Sequence, residues 1–370
     1  METIGLVFGG KSPEHEISIL SARNIYSILK EIPVNVQNIY LDRKGAFYLI
    51  EGQGFPAESE LELLESIEDD SVSMDLGRPR AIALSLHPGT KAPLRRMDNQ
   101  VSVFLDSVFC IVHGNTGEDG ILQGLFHCLD LPFVGCDVFA SSLGMDKSAM
   151  KVHLERAGIP SAKYRVALAH QRNSLDLAEM ESHLGYPMFV KPARQGSSVG
   201  VSRATDRAGL ERALEEAFRF DTCVLVEEQI NGKEVECAVL GNESPEASII
   251  GQIIPKDQFY SYESKYLDAD GAKLLIPADI TDEESKTIQQ LAKKTFEAMY
   301  CEGLARIDCF LTEDGTAYIN EINTLPGFTN ISMYPTLWEK SGLRRPELLR
   351  KLLDLGYARK KRQDSLATRH

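Results

Sequence analysis

Residues 306–323 read RIDCFLTEDGTAYINEIN, and this stretch decides how the C-terminal part of the chain is built. An Asp-Gly pair between two apolar runs is a strong β-hairpin signal, and Asp314-Gly315 is such a pair. A two-residue loop at this pair sets four polar residues opposite one another: Asp308 with Glu321, and Arg306 with Asn323. The sequence therefore predicts an antiparallel hairpin with four polar side chains near one end.

These four side chains are expected on the same face of the hairpin. Directly opposed residues of an antiparallel pair point to the same side, and side chains repeat every second residue. Two facing carboxylates repel each other unless a cation lies between them. Asp308, Glu321 and Asn323 offer the hard oxygen ligands that suit Mg²⁺ held together with the phosphates of a nucleotide. The solvated face of a surface hairpin is the alternative.

The composition excludes several classes of protein. At 370 residues, with 43% apolar and 25% charged residues, the chain should form two or three ordinary globular domains. Its net charge of −14 argues against a general surface for nucleic acids or anionic membranes. The seven cysteines form no CxxC pair, which favours buried free thiols in a reducing compartment. The chain shows neither a signal peptide nor a long apolar segment, so we expect a cytoplasmic protein.

The first forty or so residues predict a β-α-β unit. Residues 4–8 read as a buried strand, and a helix is expected from about Pro13 to Lys30, with Ser12 as N-cap and Pro13 in the first helical position. Val34–Leu41 is typical of the next strand. This order favours a parallel sheet.

A change in polarity around Gly135–Lys147 indicates a domain boundary, after which a second β-rich unit begins. The polar stretch 256–273 is too long for a plain connection, and such loops are usually functional lids or disordered. The basic residues Arg359–Arg362 are expected to form a frayed, solvated end. We expect three domains, at residues 1–141, 142–230 and 231–370.

Two lysines are candidates for phosphate binding. Lys191 ends a predicted strand and precedes a loop with Gly196, Ser197 and Ser198, where backbone N–H groups and hydroxyls can approach phosphate oxygens. The loop matches neither a P-loop nor a GxGxxG pattern, and an ordinary hairpin turn is the alternative. For Lys147, the second candidate, the alternative is a solvated helix N-terminus.

Further polar candidates follow predicted strands. Glu14 lies in the first turn of the predicted helix, where the dipole favours an acid. It also lies at the carboxyl end of the first strand, where open α/β sheets bind ligands, so it could hold an ammonium group. His113 and Glu118 follow another strand end, with a structural role in a turn as the alternative. The segment Glu227–Ile230 could read adenine through its backbone, and Glu234 could bind ribose.

Together these features resemble the ATP-grasp fold, in which two α+β units clasp a nucleotide, and within it the D-alanine–D-alanine ligase family. The resemblance runs to about residue 345. It implies an α/β and α+β protein with an N-terminal Rossmann-like parallel-sheet domain. The motifs that carry it are GGKSPEHE (9–16), HGNTGEDG (113–120), MDK (145–147), KPARQGSS (191–198), KY (265–266), RID (306–308) and EINTLPG (321–327).

The resemblance implies an activity and a nucleotide site. In that family, the carboxylate of one D-alanine attacks the γ-phosphate of ATP, and the amine of a second D-alanine then displaces phosphate from the acyl phosphate. The product serves peptidoglycan precursor synthesis. The residues matched to ATP are Lys147, Lys191, Ser197, Ser198, Glu227, Ile230 and Glu234, and those matched to two Mg²⁺ or Mn²⁺ ions are Asp308, Glu321 and Asn323.

It also implies roles around the two D-alanines. Glu14 would hold the first ammonium, with His113 in the same substrate site. Arg306 and the Gly327 N–H would stabilise the tetrahedral oxyanion. The remaining matches are Lys265 and Ser332, which would take the second carboxylate, and Tyr266, which would hydrogen-bond towards Glu14 and Ser197.

Alternatives remain within and outside the family. A D-alanine–D-lactate ligase has the same fold, but relatives of that kind carry phenylalanine at Tyr266 or a histidine in the lid, and no histidine lies between Lys256 and Ile276. A nucleotide-binding regulator would lack one of the matched hairpin residues, and all are present. A dinucleotide-dependent oxidoreductase would need a third glycine after Gly10. Glu228 stands where some relatives carry lysine, which leaves an adenine contact there open. A homodimer is implied by the family alone.

Overall fold

The computed structural model describes residues 1–52, 54–65, 74–75, 80–90, 93–255 and 272–367. Within these residues the chain forms three sheets that follow one another in sequence, and helices pack on each sheet. The α/β and α+β class expected from the sequence is confirmed. A search of the described helices for an apolar segment long enough to cross a membrane finds none.

The first sheet is mixed, and its parallel strands lie together at one edge. Strand β1 pairs in parallel with β2 and β8, while the strands beyond β2 pair antiparallel in the order β3, β5, β6, β7, with β4 beside β5. The strands are β1 Glu2–Gly9, β2 Val34–Leu41, β3 Phe47–Glu51, β4 Met74–Asp75, β5 Arg80–Leu86, β6 Leu94–Arg96, β7 Ser102–Val103 and β8 Ser107–Cys110. The helices of this part are α1 His15–Leu29, α2 Glu58–Glu65, α3 Ile121–Cys128 and α4 Val138–Met145.

Helix α1 begins two residues later than the sequence suggested, and the expected Ser12 cap is wrong. The N-cap position is Glu14, whose side chain makes no capping hydrogen bond. The Ser12 hydroxyl accepts from the Glu14 N–H at 3.1 Å and donates to the His113 carbonyl at 2.6 Å. The loop before α1 is therefore tied to the chain that follows β8.

The second sheet is antiparallel, in the order β11-β10-β12-β9. Its strands are β9 Tyr164–Leu168, β10 Met188–Pro192, β11 Ser202–Ala204 and β12 Cys223–Glu228. Around it lie α5 Lys147–Arg156, a 3₁₀ helix Ala169–Ser174, α6 Leu177–Leu184 and α7 Arg207–Ala217.

The third sheet is also antiparallel, in the order β15-β14-β13-β16-β17. Its strands are β13 Lys233–Gly241, β14 Glu246–Pro255, β15 Ala272–Leu275, β16 Gly303–Leu311 and β17 Ala317–Asn323. The helices are α8 Asp282–Ala298, which starts with a capping box between Thr281 and Glu284, then α9 Met333–Lys340 and α10 Arg345–Asp364.

The hairpin β16–β17 keeps the predicted pairs at its polar end: Asp308 with Glu321, and Arg306 with Asn323. The two-residue loop is wrong. Thr312 pairs with Thr316 around a three-residue loop, and a β-bulge follows, because Cys309 pairs with Ile319 and leaves Asn320 as an extra residue.

The apolar spacing of β17 is the physical reason for this bulge. Ala317, Ile319 and Ile322 are all buried in the same core, although they are spaced by two and then by three residues. A regular strand alternates its faces and would turn either Ile319 or Ile322 out of the core. The extra residue Asn320 lets both be buried.

The basic end of the chain is also different from the expectation. Residues 359–362 belong to α10, and Arg359 is buried. Its guanidinium donates to the carbonyls of Phe133 and Gly135 and lies over the Phe133 ring, 4.1 Å from its centroid. The helix is therefore fastened to the segment that contains Phe133 and Gly135 instead of fraying.

Candidate active site

A cavity of about 680 Å³ lies between the second and third sheets. It brings together eight of the residues predicted from the sequence to bind nucleotide or metal, drawn from both sheets and their loops. They are Lys147, Lys191, Ser197, Ser198, Glu227, Ile230, Glu234 and Glu321. The site is therefore built where two sheets face each other.

Two lysines share one buried carboxylate in the cavity wall. Glu227 forms ion pairs of 2.5 Å with the Nζ atoms of Lys151 and Lys191. Burial raises the pKa of Glu227, but the two ammonium groups outweigh burial and lower that pKa to about 2. Burial also lowers the pKa of Lys151, whereas at Lys191 the Glu227 carboxylate prevails over burial and the pKa is raised. Lys191 thus stays cationic beside the cavity.

Lys147 connects the two sheets at one end of the cavity. It is the first residue of α5, whose start is capped by the Asp146 carboxylate. Its Nζ donates to the Gln195 carbonyl at 2.9 Å and lies 3.5 Å from Oε2 of Glu321. A phosphate group near this position would meet the positive charge of Lys147 and the α5 N-terminus together.

The loop after β10 has an unusual backbone. Ser197 and Ser198 have φ angles of 50° and 60°, in the left-handed region that non-glycine residues rarely adopt. Strain of this kind is often kept at ligand-binding loops. The Ser197 hydroxyl donates to the Glu14 carboxylate. The serine loop is thereby joined to the start of α1.

Glu14 is confined by two glycines. A Cβ atom on Gly114 would come within 2.7 Å of the Glu14 Oε2, and one on Gly196 within 3.1 Å of the same atom. The carboxylate therefore lies between the chain after β8 and the serine loop, at the carboxyl end of β1. An acid enclosed in this way is suited to a small cation such as an ammonium group.

His113 lies beneath this region and is buried. Its Nδ1 is 3.4 Å from the Glu118 carboxylate and its Nε2 is 3.2 Å from the Ser21 hydroxyl. That hydroxyl also accepts from the Phe328 N–H at 3.3 Å. His113 is thus connected to the loop that carries Gly327, and a direct contact with substrate stays a prediction.

The polar end of the hairpin carries a tight ion-pair cluster. Nε and Nη2 of Arg306 each donate to Asp308 at 2.7 Å, and Nε lies 3.1 Å from Oε2 of Glu236 on β13. The amide of Asn323 donates to Asp308 at 2.9 Å. Burial lowers the pKa of Arg306, but Asp308 and Glu236 prevail and hold it well above its ordinary value.

The donor set fits a divalent cation held jointly with phosphate. Among the described residues, no group of three His, Cys, Asp or Glu side chains is arranged to hold a metal ion by itself. The predicted ligands are two carboxylates and one amide: Asp308, Glu321 and Asn323. Mg²⁺ commonly takes one or two carboxylates and completes its shell with phosphate oxygens and waters. Arg306 and the cation would compete for the oxygens of Asp308, which accepts two hydrogen bonds from Arg306 and one from Asn323.

Gly327 and Ser332 lie close together beyond β17. A Cβ atom on Gly327 would be 3.0 Å from the Ser332 hydroxyl, which accepts from the Thr329 N–H at 2.9 Å. The side chain of Asn24 on α1 donates to the Phe328 carbonyl at 2.6 Å. Helix α1 therefore helps to position this loop. Lys265, Tyr266 and most of the predicted lid 256–273 lie outside the described residues.

Sequence reasoning missed three residues at the site. Lys151 follows Lys147 by four residues on α5, so helical spacing could have found it. Glu236 follows Glu234 by two residues on β13, and strand alternation could have found it. Asn320, whose Oδ1 accepts from Lys191 at 3.2 Å, is the extra residue of the bulge. Glu228, where the sequence departs from some relatives, accepts from the Lys163 N–H at 2.8 Å.

Comparison with known protein families gives two matches. Residues 3–136 match the model of the D-ala D-ala ligase N-terminus, and residues 153–354 match that of the D-ala D-ala ligase C-terminus.

Curated relatives and solved structures agree with these matches. The chain is 44% identical to a D-alanine–D-alanine ligase of Shouchella clausii, covering 98% of this chain and 96% of the relative. It is 42% identical to D-alanine–D-alanine ligase A of Salmonella typhimurium, covering 99% and 98%. The D-alanine–D-alanine ligase structure from Coxiella burnetii superposes with a TM-score of 0.82 at 35% identity, covering 98% of this chain and 96% of that one. The structure of the VanG D-Ala:D-Ser ligase of Enterococcus faecalis superposes with a TM-score of 0.83 at 33% sequence identity. The match covers 96% of this chain and 99% of that one.

The matches to both halves of the family and the near-complete coverage of these relatives show that the chain belongs to the D-alanine–D-alanine ligase family and has the ATP-grasp fold that its sequence motifs predicted.

Proposed function

We propose that the protein is an ATP-dependent ligase that joins two D-alanines into D-alanyl-D-alanine for peptidoglycan precursor synthesis, with release of ADP and phosphate. The observation that carries this proposal is the 680 Å³ cavity, which is lined by Lys147 and Lys191 and by Glu321 of the hairpin. Family membership supports the same activity, since the relatives described above are named D-alanine–D-alanine ligases.

The first half-reaction makes a carboxylate into an acyl donor. A carboxylate oxygen of the first D-alanine attacks the γ-phosphorus of ATP, and the bond to the β-phosphate oxygen breaks. Lys147 and Lys191 supply positive charge where the phosphates carry their negative charge. Two Mg²⁺ or Mn²⁺ ions held by Asp308, Glu321 and Asn323 would neutralise further phosphate charge. From the strained loop, Ser198 would add a hydroxyl donor, and Ser197, whose hydroxyl donates to Glu14, would approach phosphate through its backbone N–H.

The second half-reaction forms the peptide bond. The amine of the second D-alanine attacks the acyl carbon, and phosphate leaves from the tetrahedral intermediate. Arg306 and the Gly327 N–H would stabilise the oxyanion, and Glu14 would hold the ammonium of the first D-alanine. Lys265 and Ser332 would take the second carboxylate. Tyr266, in the lid, would close the site from above by hydrogen-bonding towards Glu14 and Ser197.

The adenosine part is proposed to lie along the segment between β12 and β13. Residues Glu227–Ile230 border the cavity, where their backbone would read adenine, and Glu234 would bind ribose. The Glu228 carboxylate forms an ion pair with Lys163, so we propose no contact between the Glu228 side chain and adenine. The domain limits at residues 141 and 230 stay part of this proposal.

Two further properties are proposed. The cytoplasm supplies ATP, and all seven cysteines are free, which suits a reducing compartment. A homodimer is proposed from the family resemblance, and sedimentation velocity of the purified chain would test it.

The decisive experiment is phosphate release from ATP and Mg²⁺ with defined substrates. D-Alanine alone should release phosphate and yield D-alanyl-D-alanine, while L-alanine should give only background release. D-Lactate or D-serine added to D-alanine tests the second site, and we expect the dipeptide of D-alanine to dominate. Absence of D-alanine-dependent phosphate release would contradict the proposal, and a dominant D-alanyl-D-lactate product would favour the depsipeptide ligase.

A further inference from the structure

Three carboxylates form one row across the third sheet. Glu236 on β13 is opposite Asp308 on β16, which is opposite Glu321 on β17. Directly opposed residues share a face of the sheet, and like charges there repel. Two cations compensate: Lys147 lies against Glu321, and Arg306 lies against the other two acids. Arg306 therefore contributes positive charge between Asp308 and Glu236, where the like charges of the row would otherwise repel.

Arg306 makes shorter contacts with Asp308 than with Glu236. Both of its short hydrogen bonds, at 2.7 Å, go to Asp308, while Nε lies farther from Glu236, at 3.1 Å. Glu236 and Asp308 are only 2% and 3% exposed. Hydrogen bonds between charged groups are strong where water is excluded. Asp308 therefore binds Arg306 with both of its oxygens.

This arrangement conflicts with the proposed role of Asp308. A carboxylate that ligates a divalent cation must direct at least one oxygen to the metal. A divalent cation there would repel the adjacent guanidinium and weaken its hydrogen bonds to Asp308, and a largely buried guanidinium without a partner is costly. Glu236 is the other carboxylate in contact with Arg306, and it does not border the cavity, whereas Glu234 on the same strand does.

We propose that Glu236 is a positioning residue which takes over Arg306 when Asp308 turns to a divalent cation. The inference rests on the proposed function, because it assumes that Asp308 is a metal ligand. Glu236 lowers the free energy needed to separate Arg306 from Asp308 and so strengthens metal binding without touching the metal. It also keeps Arg306 on the hairpin face where the oxyanion would form.

The test measures metal binding directly. Mn²⁺ is titrated calorimetrically into the protein saturated with ADP, for the native chain and for Glu236→Gln. Glutamine keeps the shape but loses the charge-assisted bond, so Arg306 should stay on Asp308. We expect the dissociation constant for Mn²⁺ to rise about tenfold, equivalent to about 1.4 kcal/mol. The affinity for ADP in EDTA should stay within about twofold of native, because Glu236 does not border the cavity.

Two variants separate this role from a general loss of charge. Glu236→Asp keeps the charge but shortens the reach towards Arg306, so it should weaken Mn²⁺ binding nearly as much as Glu236→Gln. Glu302→Gln removes another carboxylate that is paired with an arginine, Arg362, outside the acidic row, and should leave Mn²⁺ binding as in the native chain. Native affinity in Glu236→Asp combined with weak binding in Glu236→Gln would mean that charge alone matters, and the proposal would be overturned.

A crystal structure of the native chain with Mn²⁺ and ADP tests the geometry without any variant. Arg306 should form its two hydrogen bonds with Glu236, and Asp308 should contact the metal. Arg306 still bound through both bonds to Asp308 would overturn the role of Glu236. If the native chain with ADP binds no Mn²⁺ at all, the proposed metal site has failed instead.

Discussion

At the scale of single residues, the position of Glu14 separates a binding role from a capping role. The side chain makes no capping hydrogen bond and is enclosed by Gly114, Gly196 and Ser197. Glu14→Gln keeps the size and removes the charge. A charge-assisted hydrogen bond contributes about 1.5–3 kcal/mol, so the KM for the first D-alanine should rise about tenfold or more.

The matched control for Glu14 is Glu16→Gln. Glu16 lies on the same helix but is exposed and paired with Arg43 on the surface. Its substitution should change neither the KM nor the melting temperature measurably. A fall in the melting temperature of Glu14→Gln with an unaltered KM would show that Glu14 is a structural residue.

The buried Glu227 predicts a particular pH dependence of stability. Its pKa is lowered from 4.5 to about 2 by Lys191 and Lys151, in spite of burial. A lowered folded-state pKa stabilises the fold above the unfolded pKa and loses this effect as the pH falls through the folded value. The shift corresponds to about 3 kcal/mol at neutral pH.

Urea unfolding of the native chain and of Glu227→Gln measures this contribution. The difference between their free energies of unfolding should be largest near neutral pH and should shrink steadily below pH 4.5, the ordinary value for a glutamate. If the difference in free energy of unfolding stayed constant from pH 7 to pH 3.5, Glu227 would stabilise the fold through packing and not through its charge.

Residue identities at the site were predictable where a motif combined several rare residues. Glu14 and Lys191 stand in such motifs, and the structure places both beside the serine loop. Strand alternation from Glu234 could have pointed to Glu236, but only the register shows that Glu236 faces Asp308. Arg306 and Asp308 are two residues apart on β16, so alternation alone places them on one face.

At the scale of elements, the strand pairs of the hairpin β16–β17 were predicted correctly although the predicted loop length was wrong. The Asp-Gly signal predicted the turn, and the polar pairs are as predicted. The apolar spacing of Ala317, Ile319 and Ile322 carried the further signal of a bulge, which pairing from the loop alone overlooks. To find such a bulge from sequence, the alternation of buried and exposed residues has to be followed along both paired strands.

Deletion of Asn320 tests this account. Without this residue, apolar and polar positions of β17 alternate regularly, and Glu321 still follows opposite Asp308. We expect a folded protein with a melting temperature close to native, measured by calorimetry. Loss of the hydrogen bond to Lys191 should reduce kcat/KM for ATP about tenfold, as in Asn320→Ala.

Deletion of Tyr318 is the matched control, because it brings Ala317 and Ile319 next to each other and forces one of them out of the core. This variant should unfold at a clearly lower temperature or fail to fold. If the two deletion variants were equally stable, Asn320 would not be the residue that allows both Ile319 and Ile322 to be buried.

At the scale of the whole molecule, the C-terminal helix fastens the third part of the chain to the first. Arg359 spans the carbonyls of Phe133 and Gly135, and a Cβ atom on Gly303 would come within 3.1 Å of the Gly135 backbone. Arg359→Met leaves two buried carbonyls without this donor, which should lower the free energy of unfolding by about 2–4 kcal/mol. Chemical denaturation would measure the change.

Arg362→Gln provides the comparison for Arg359. Arg362 is exposed on the same helix and pairs with Glu243 and Glu302, so its loss should cost about 0–1 kcal/mol. The sequence could not show that Arg359 is buried and Arg362 exposed, because both belong to one run of basic residues. Only the docking of α10 on the chain after β8 makes one of them part of the interior.

The bulge at Asn320 has a consequence for how the hairpin can vary. The pairing near the loop, as between Cys309 and Ile319, and the pairing of Asp308 with Glu321 follow different registers on either side of Asn320. Insertions or replacements within residues 313–315 should be absorbed before they reach Glu321. Libraries of loop variants should therefore keep D-alanine-dependent ATP turnover, and this loop is the place where a tag or a reporter peptide can be added to the catalytic hairpin.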